Sequence, residues 1–185
     1  MGFGLSGEGQ SPPWRGFWGG TISRGLVNVP VKPYSLLRDY NVKRDFSKSP
    51  EPTGEGVETL GSVYVVQEHH ASHLHWDFRL ERDGVLKSWA VPKGPPERPG
   101  ERRLAVAVED HPLGYAGFEG VIPEGEYGAG TVKIWDRGTY DAIQWTEDKI
   151  TIIIRGERLK GSYELIRFRK AGEKEWLLFK KREQG

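Results

Sequence analysis

The stretch Leu74–Leu80 alternates apolar and polar residues without a break, and Asp83-Gly84 follows it closely. Such alternation fits a strand with one buried face and argues against a helix, whose faces recur every ~3.6 residues. Asp-Gly accepts the positive φ angles of a two-residue hairpin turn, so Val85–Val91 is predicted to return antiparallel until Pro92 stops it. Short apolar runs bounded by turn residues recur through the rest of the chain. Strands are predicted at Val63–Gln67, Leu104–Val108, Thr131–Trp135, Thr139–Ala142, Ile150–Arg155, Gly161–Arg169 and Trp176–Lys180, with turns at Asp136-Arg137-Gly138 and at Gly172. The fold class that follows is all-β: a compact closed or nearly closed antiparallel β-barrel with few short helices. Glycine (25) and proline (12) make up a fifth of the 185 residues, which leaves little room for long helices. One short helix is expected around Arg38–Arg44.

The chain divides unevenly. Residues 1–13 are rich in Gly, Ser and Pro and are expected to be disordered. Residues 1–37 form an N-terminal arm in which Pro33 limits any strand to a short edge piece, and 38–185 form the domain. Residues 38–60, with Ser49-Pro50-Glu51-Pro52, read as an extended polar loop. The absence of cysteine excludes disulfides, a thiolate metal site and a thiol nucleophile. No run approaches the roughly 20 apolar residues of a membrane span, and Met1–Gln10 lacks the pattern of a signal peptide. A cytoplasmic protein with no membrane partner is expected. The net charge of +1 excludes a DNA-coating protein. Locally, residues 101–150 carry 5 basic and 10 acidic side chains, and 151–185 carry 10 and 5. Arg155, Arg158, Lys160, Arg167, Arg169 and Lys170 form a candidate polyanion-tracking face; a solvated surface is the competing reading.

The chemistry concentrates in His69-His70-Ala71-Ser72-His73-Leu74-His75-Trp76-Asp77-Phe78-Arg79-Leu80, which holds four of the five histidines. With a period of two, Leu74, Trp76, Phe78 and Leu80 share one face and His75, Asp77 and Arg79 the other. His75 and Asp77, about 7 Å apart at the Cα, can reach one divalent cation. His69, expected in a loop just before the strand, can fold back as a third ligand. Two imidazoles and a carboxylate leave coordination positions open, and Mn²⁺, Zn²⁺, Co²⁺ and Fe²⁺ all suit the donor set. Arg79, next on the same face, suits a pair of phosphate oxygens. The competing reading is a surface strand with an ordinary Asp77–Arg79 ion pair. His111, ahead of Pro112, reads as structural unless its segment neighbours Leu74–Leu80. The run Pro123–Gly130 has the glycines of a phosphate cradle, but its glutamates and the lack of a following helix favour a tight barrel corner.

Gln67–Glu81, Leu86–Pro95, Glu109–Leu113, Phe118–Gly130 and Ile134–Gly138 together resemble the phosphoesterase domain of bacterial DNA ligase D and its stand-alone relatives. Lys43–Pro52 resembles that family's opening segment. The resemblance, which runs from about Tyr40 to the C-terminus, implies a Mn²⁺-dependent enzyme (Co²⁺ or Zn²⁺ possible) that heals DNA 3′ ends in non-homologous end joining. It would remove a terminal 3′ ribonucleoside from the primer strand of a primer-template and then the remaining 3′-phosphate. It implies His69, His75 and Asp77 as metal ligands, and Arg79, His111 and Tyr115 as contacts to the scissile phosphate. It also implies that Arg44, Asp45 and Glu51 are needed for activity. The implied partners are DNA, a DNA ligase, a repair polymerase/primase and Ku, in a nucleoid-associated setting. Trp76 stands where tyrosine is commoner and Gly114 where aspartate is frequent. Trp18–Ser35 resembles the opening of bacterial Ku, over far too few residues for Ku's ring. A silent DNA-end-binding or scaffolding module is the alternative function.

Overall fold

A computed structural model describes residues 36–53 and 61–182. Most of the expected N-terminal arm, with its Ku-like stretch 18–35, lies outside the described residues. The elements are α1 (Arg38–Val42), β1 (Val63–His70), β2 (Leu74–Arg82), β3 (Val85–Val91), β4 (Arg102–Ala107), a 3₁₀ turn (Leu113–Gly117), β5 (Gly120–Ile122), β6 (Gly130–Trp145), β7 (Lys149–Gly156), β8 (Lys160–Arg167) and β9 (Glu175–Lys180). Antiparallel pairing runs β1-β2-β3-β4-β9-β8-β7-β6, and β6 pairs back onto β1 to close an eight-stranded barrel; β5 adds to the free side of β6. The expected barrel is therefore observed.

The alternation of β2 decides what faces inward. Phe78 and Leu80 are fully buried and lie beside Val66 and Tyr64 of β1, with Trp89 of β3 on the other side of Phe78. Ile150, Ile152 and Ile154 of β7, Tyr163 and Leu165 of β8 and Leu178 of β9 fill the rest of the interior. Each such side chain contributes roughly 1.5–3 kcal/mol by leaving water. Asp83 and Gly84, at φ 56° and 81°, make the predicted hairpin turn.

Asp136-Arg137-Gly138 does not turn the chain. β6 runs through it as one 16-residue strand, and two bulges, at Trp135 and Ile143, bend it between its partners. The Asp136 side chain serves a turn elsewhere: it is buried and accepts hydrogen bonds from the Tyr64 hydroxyl and from the backbone N–H groups of Glu157, Arg158 and Leu159 between β7 and β8. Gly138 is required by closeness, since a Cβ there would lie 2.1 Å from the Arg155 carbonyl oxygen.

A second cluster lies outside the barrel wall. α1 and the 3₁₀ turn bring Leu37, Tyr40, Leu113 and Tyr115 against Val85 and Leu86 of β3. The segmental charge imbalance is met in part by pairing in space: Arg155 pairs with Asp141, and Arg167 and Arg169 pair with Glu147. Arg158 sits over the Trp135 ring. Of the six residues of the candidate basic face, Arg155, Arg167 and Arg169 are thus ion-paired, while Lys160 and Lys170 have no ion pair among the described residues.

Candidate metal and phosphate site

β1, β2 and β3 send their other faces outward. Gln67 and His69 of β1, His75, Asp77 and Arg79 of β2, and Ser88 of β3 share that side, with His69 opposite His75, Gln67 opposite Asp77 and Ser88 opposite Arg79. Placing His69 in a loop is corrected here. It lies inside β1, which runs three residues beyond the predicted end because β6 pairs along it as far as His70 and Thr131. Gly130 permits that pairing: a Cβ there would lie 2.3 Å from the His70 carbonyl oxygen.

His69, His75 and Asp77 each offer one ligand atom, all within 4.8 Å of one another. His69 Nδ1 is 3.6 Å and His75 Nε2 3.7 Å from the Asp77 carboxylate. The opposite ring nitrogens are spoken for: His69 Nε2–H donates to the Gly128 carbonyl and His75 Nδ1–H to the His73 carbonyl, both at 2.9 Å. Carbonyls only accept, so each ring's proton is fixed there and its other nitrogen turns a lone pair toward Asp77. The set fits a divalent cation. His70 and His73 are exposed, and His70 bonds Glu68 instead.

Arg79 stands behind this group, 2% exposed. Its Nη2 donates to Asp77 at 3.0 Å, its Nε to Gln67 at 2.8 Å and its Nη1 to Ser88 at 2.9 Å, and its plane lies over the Tyr115 ring. Burial pushes the Asp77 carboxyl up, but the positive charge around it, Arg79 foremost, more than offsets this and holds it well below the usual carboxylate range. Gln67 also donates to the Tyr115 and Phe118 carbonyls, which ties the 3₁₀ turn to β1. Sequence reasoning missed Gln67. With β1 extended to His70, its phase with His69 places it on this face.

The opposite wall comes from segments outside the barrel. His111 bridges to Leu86 of β3, one strand beyond β2, which meets the condition for taking part. Its Nδ1–H donates to the Glu109 carbonyl, and its Nε2 accepts Arg44 Nη2 at 3.2 Å. Burial, then the Arg79 and Arg44 charges, push His111 well below its ordinary pKa and keep it neutral. Arg44 is itself clamped by Glu51 at 2.8 Å and Glu109 at 3.2 Å, all three side chains being 5% exposed or less. Glu109, which also holds Lys43, was not anticipated either. Its carboxyl is raised by burial, but lowered further by Lys43 and Arg44. Asp45 stays outside, accepting Ser47 and pairing with Lys48, and so shapes the turn that follows Arg44. Every other predicted site residue lines one pocket of about 170 Å³. Tyr127 and Gly128 line it too, so the Gly-rich run is the expected close-packed corner and also a wall of the site.

The sequence model of the DNA Ligase D 3′-phosphoesterase domain matches residues 67–167. The chain belongs to this family. Its relatives include the multifunctional non-homologous end joining protein LigD of Mycobacterium bovis, 49% identical over 155 residues, or 80% of this chain and 20% of that protein. LigD of Pseudomonas aeruginosa is 49% identical over 153 residues (78% and 18%), and that of Mycolicibacterium smegmatis 44% over 161 (80% and 21%). The chain spans about a fifth of the length of these curated relatives. The phosphoesterase-domain match contains His69, His75, Asp77, Arg79, His111 and Tyr115, whereas Arg44, Asp45 and Glu51 precede it. Among the described residues, no helix is long and apolar enough to cross a membrane.

Proposed function

We propose that this chain is a metal-dependent 3′-phosphoesterase that heals DNA ends during non-homologous end joining. It removes a 3′-terminal ribonucleoside from a primer strand and then the 3′-phosphate, leaving 3′-OH. The observation that carries this reading is the His69–His75–Asp77 group set against the buried guanidinium of Arg79 in one small pocket. Two nitrogen donors and a carboxylate suit Mn²⁺, with Co²⁺ or Zn²⁺ on the same ligands. Bound by His69, His75 and Asp77, such a cation supplies charge stabilisation at a phosphoryl oxygen and a more acidic water.

The chain's own groups do the positioning. Arg79 orients Asp77 and keeps a fixed positive charge where negative charge builds up. Arg44 and His111 face it from the other wall, and an arriving phosphate oxygen competes with His111 Nε2 for the Arg44 proton. In the arrangement described His111 carries no proton on Nε2. Protonating the leaving 3′ oxygen from this ring therefore requires that the phosphate first free that nitrogen and raise its basicity. Among the pocket-lining residues there is no serine or cysteine, which favours direct attack by water over a covalent intermediate. Asp45 acts as a positioning residue through the turn after Arg44. A DNA ligase, a repair polymerase/primase and Ku are the proposed partners.

The test is a gel assay with Mn²⁺ on a primer-template ending in one 3′ ribonucleotide. Shortening to a 3′-phosphate and then to a 3′-OH is expected. Binding of the DNA with no turnover in Mn²⁺, Co²⁺ or Zn²⁺ would overturn the reading in favour of a silent end-binding module.

A further inference from the structure

A second and larger cavity, of about 490 Å³, opens at the barrel mouth, with walls from Trp76, Trp135, Lys93, Arg98 and Arg103. It shares strand β2 with the metal and phosphate site: His75 and Asp77 project outward, while Trp76 between them projects inward. Of its two carboxylates, Glu101 is spent on Arg103 and on the backbone N–H groups of Glu97 and Arg98. Lys93 and Arg98 are exposed and have no ion pair among the described residues. Gly94, at φ 74°, lays its backbone along the Trp76 ring, and Arg158 lies over the Trp135 ring, so both indoles are held in place.

Fixed indoles and unspent cations beside a phosphate site are the chemistry of an unpaired nucleotide, which offers an aromatic face and an anionic backbone. The volume falls in the range of small-molecule pockets. We propose that the barrel mouth holds an unpaired nucleotide of the DNA end, with the strand crossing the β2 rim from the phosphate site. The reading rests on the function proposed above and extends it: the site takes ends with an unpaired extension in preference to blunt ones.

The experiment is fluorescence anisotropy with the full chain and two labelled duplexes, one blunt and one carrying a short single-stranded extension. Wild type is expected to bind the extended duplex at least threefold more tightly. Lys93→Gln/Arg98→Gln is expected to abolish that preference while leaving blunt-end affinity within twofold, and Trp135→Leu is expected to do the same. Equal wild-type affinity for the two duplexes, or equal loss on both in the double variant, would overturn the proposal. The melting temperature of each variant is measured alongside. The exposed double variant is the deciding one if Trp135→Leu does not fold. The readout needs no hydrolysis, so failure of the 3′-phosphoesterase reading is seen separately in the gel assay.

Discussion

Arg44 donates to His111 across the pocket, Nη2 to Nε2 at 3.2 Å, so a guanidinium from the segment before the barrel meets an imidazole from beyond β3. Burial, then the charges of Arg79 and Arg44, keep the ring neutral. Between Arg44 and Arg79, in a buried position, a further positive charge is disfavoured.

A pH dependence of stability follows. The unfolded chain takes up a proton on this histidine near the ordinary value of 6.5, and the folded chain does so only well below it. The unfolded state therefore binds more protons in that interval, and stability falls as pH drops. The contribution is complete above about pH 6.5. Thermal melts from pH 8 to pH 5 are expected to show a steeper decline for wild type than for His111→Gln. Parallel curves would count against a neutral buried ring. His111→Ala is also expected to damage the phosphate-removing step severely.

Glu51 tests the clamp on Arg44. Its carboxylate is almost wholly buried and takes Arg44 Nε on one oxygen and Ser49 Oγ on the other. Glu51→Ala leaves the buried Arg44 Nε without an acceptor and Glu109 as the guanidinium's remaining carboxylate, with an expected cost of about 3 kcal/mol seen as a lower urea midpoint. Glu51→Gln keeps an acceptor for Arg44 and is expected to cost less. Similar midpoints for the two variants would mean that the charge pair, and not the acceptor, is what matters.

His75→Ala removes one of the three converging ligand atoms. Mn²⁺ affinity, read by paramagnetic resonance of the free ion, is expected to fall by more than about 100-fold. The gel activity should disappear with it. The ring is partly exposed, so the melting temperature should move little. Turnover near wild type after chelation and Mn²⁺ restoration would contradict the ligand assignment.

Gly138→Ala addresses the barrel itself. Its new methyl would meet backbone atoms of Arg155 and Gly156 at 2.1 and 2.8 Å, so two paired strands must part. A loss of about 3 kcal/mol is expected in denaturant unfolding. Gly120→Ala, where the nearest atoms are Phe118 ring carbons at 3.5 and 3.6 Å, should be nearly neutral by comparison.

Much of this architecture was legible in the residues. The period-two pattern of Leu74–Leu80 and the Asp83-Gly84 turn suffice for β2 and β3, and they separate the core residues from His75, Asp77 and Arg79. What escaped depended on partners distant in sequence. Asp136-Arg137-Gly138 has turn composition, but its aspartate caps the β7–β8 connection and its glycine admits a neighbouring strand. His69 looked like a loop residue because Glu68 and His70 break the apolar run, yet pairing to β2 and β6 on both sides keeps it in β1. His111, Arg44 and Glu51 showed no periodic signal of their own, since tertiary packing of α1 and the segment after β4 brings them in. Only the resemblance pointed to them. Gln67 and Glu109 had no signal beyond their phase or proximity to those residues.

Because β2 gives alternate side chains to the interior and to the phosphate pocket, the two inheritances are interleaved atom by atom along nine residues. An inserted or deleted residue within Leu74–Arg82 would exchange the two sets at once, putting imidazole and carboxylate into the oil and phenylalanine into the chemistry. Length variation among descendants of this chain should therefore stay out of Leu74–Arg82.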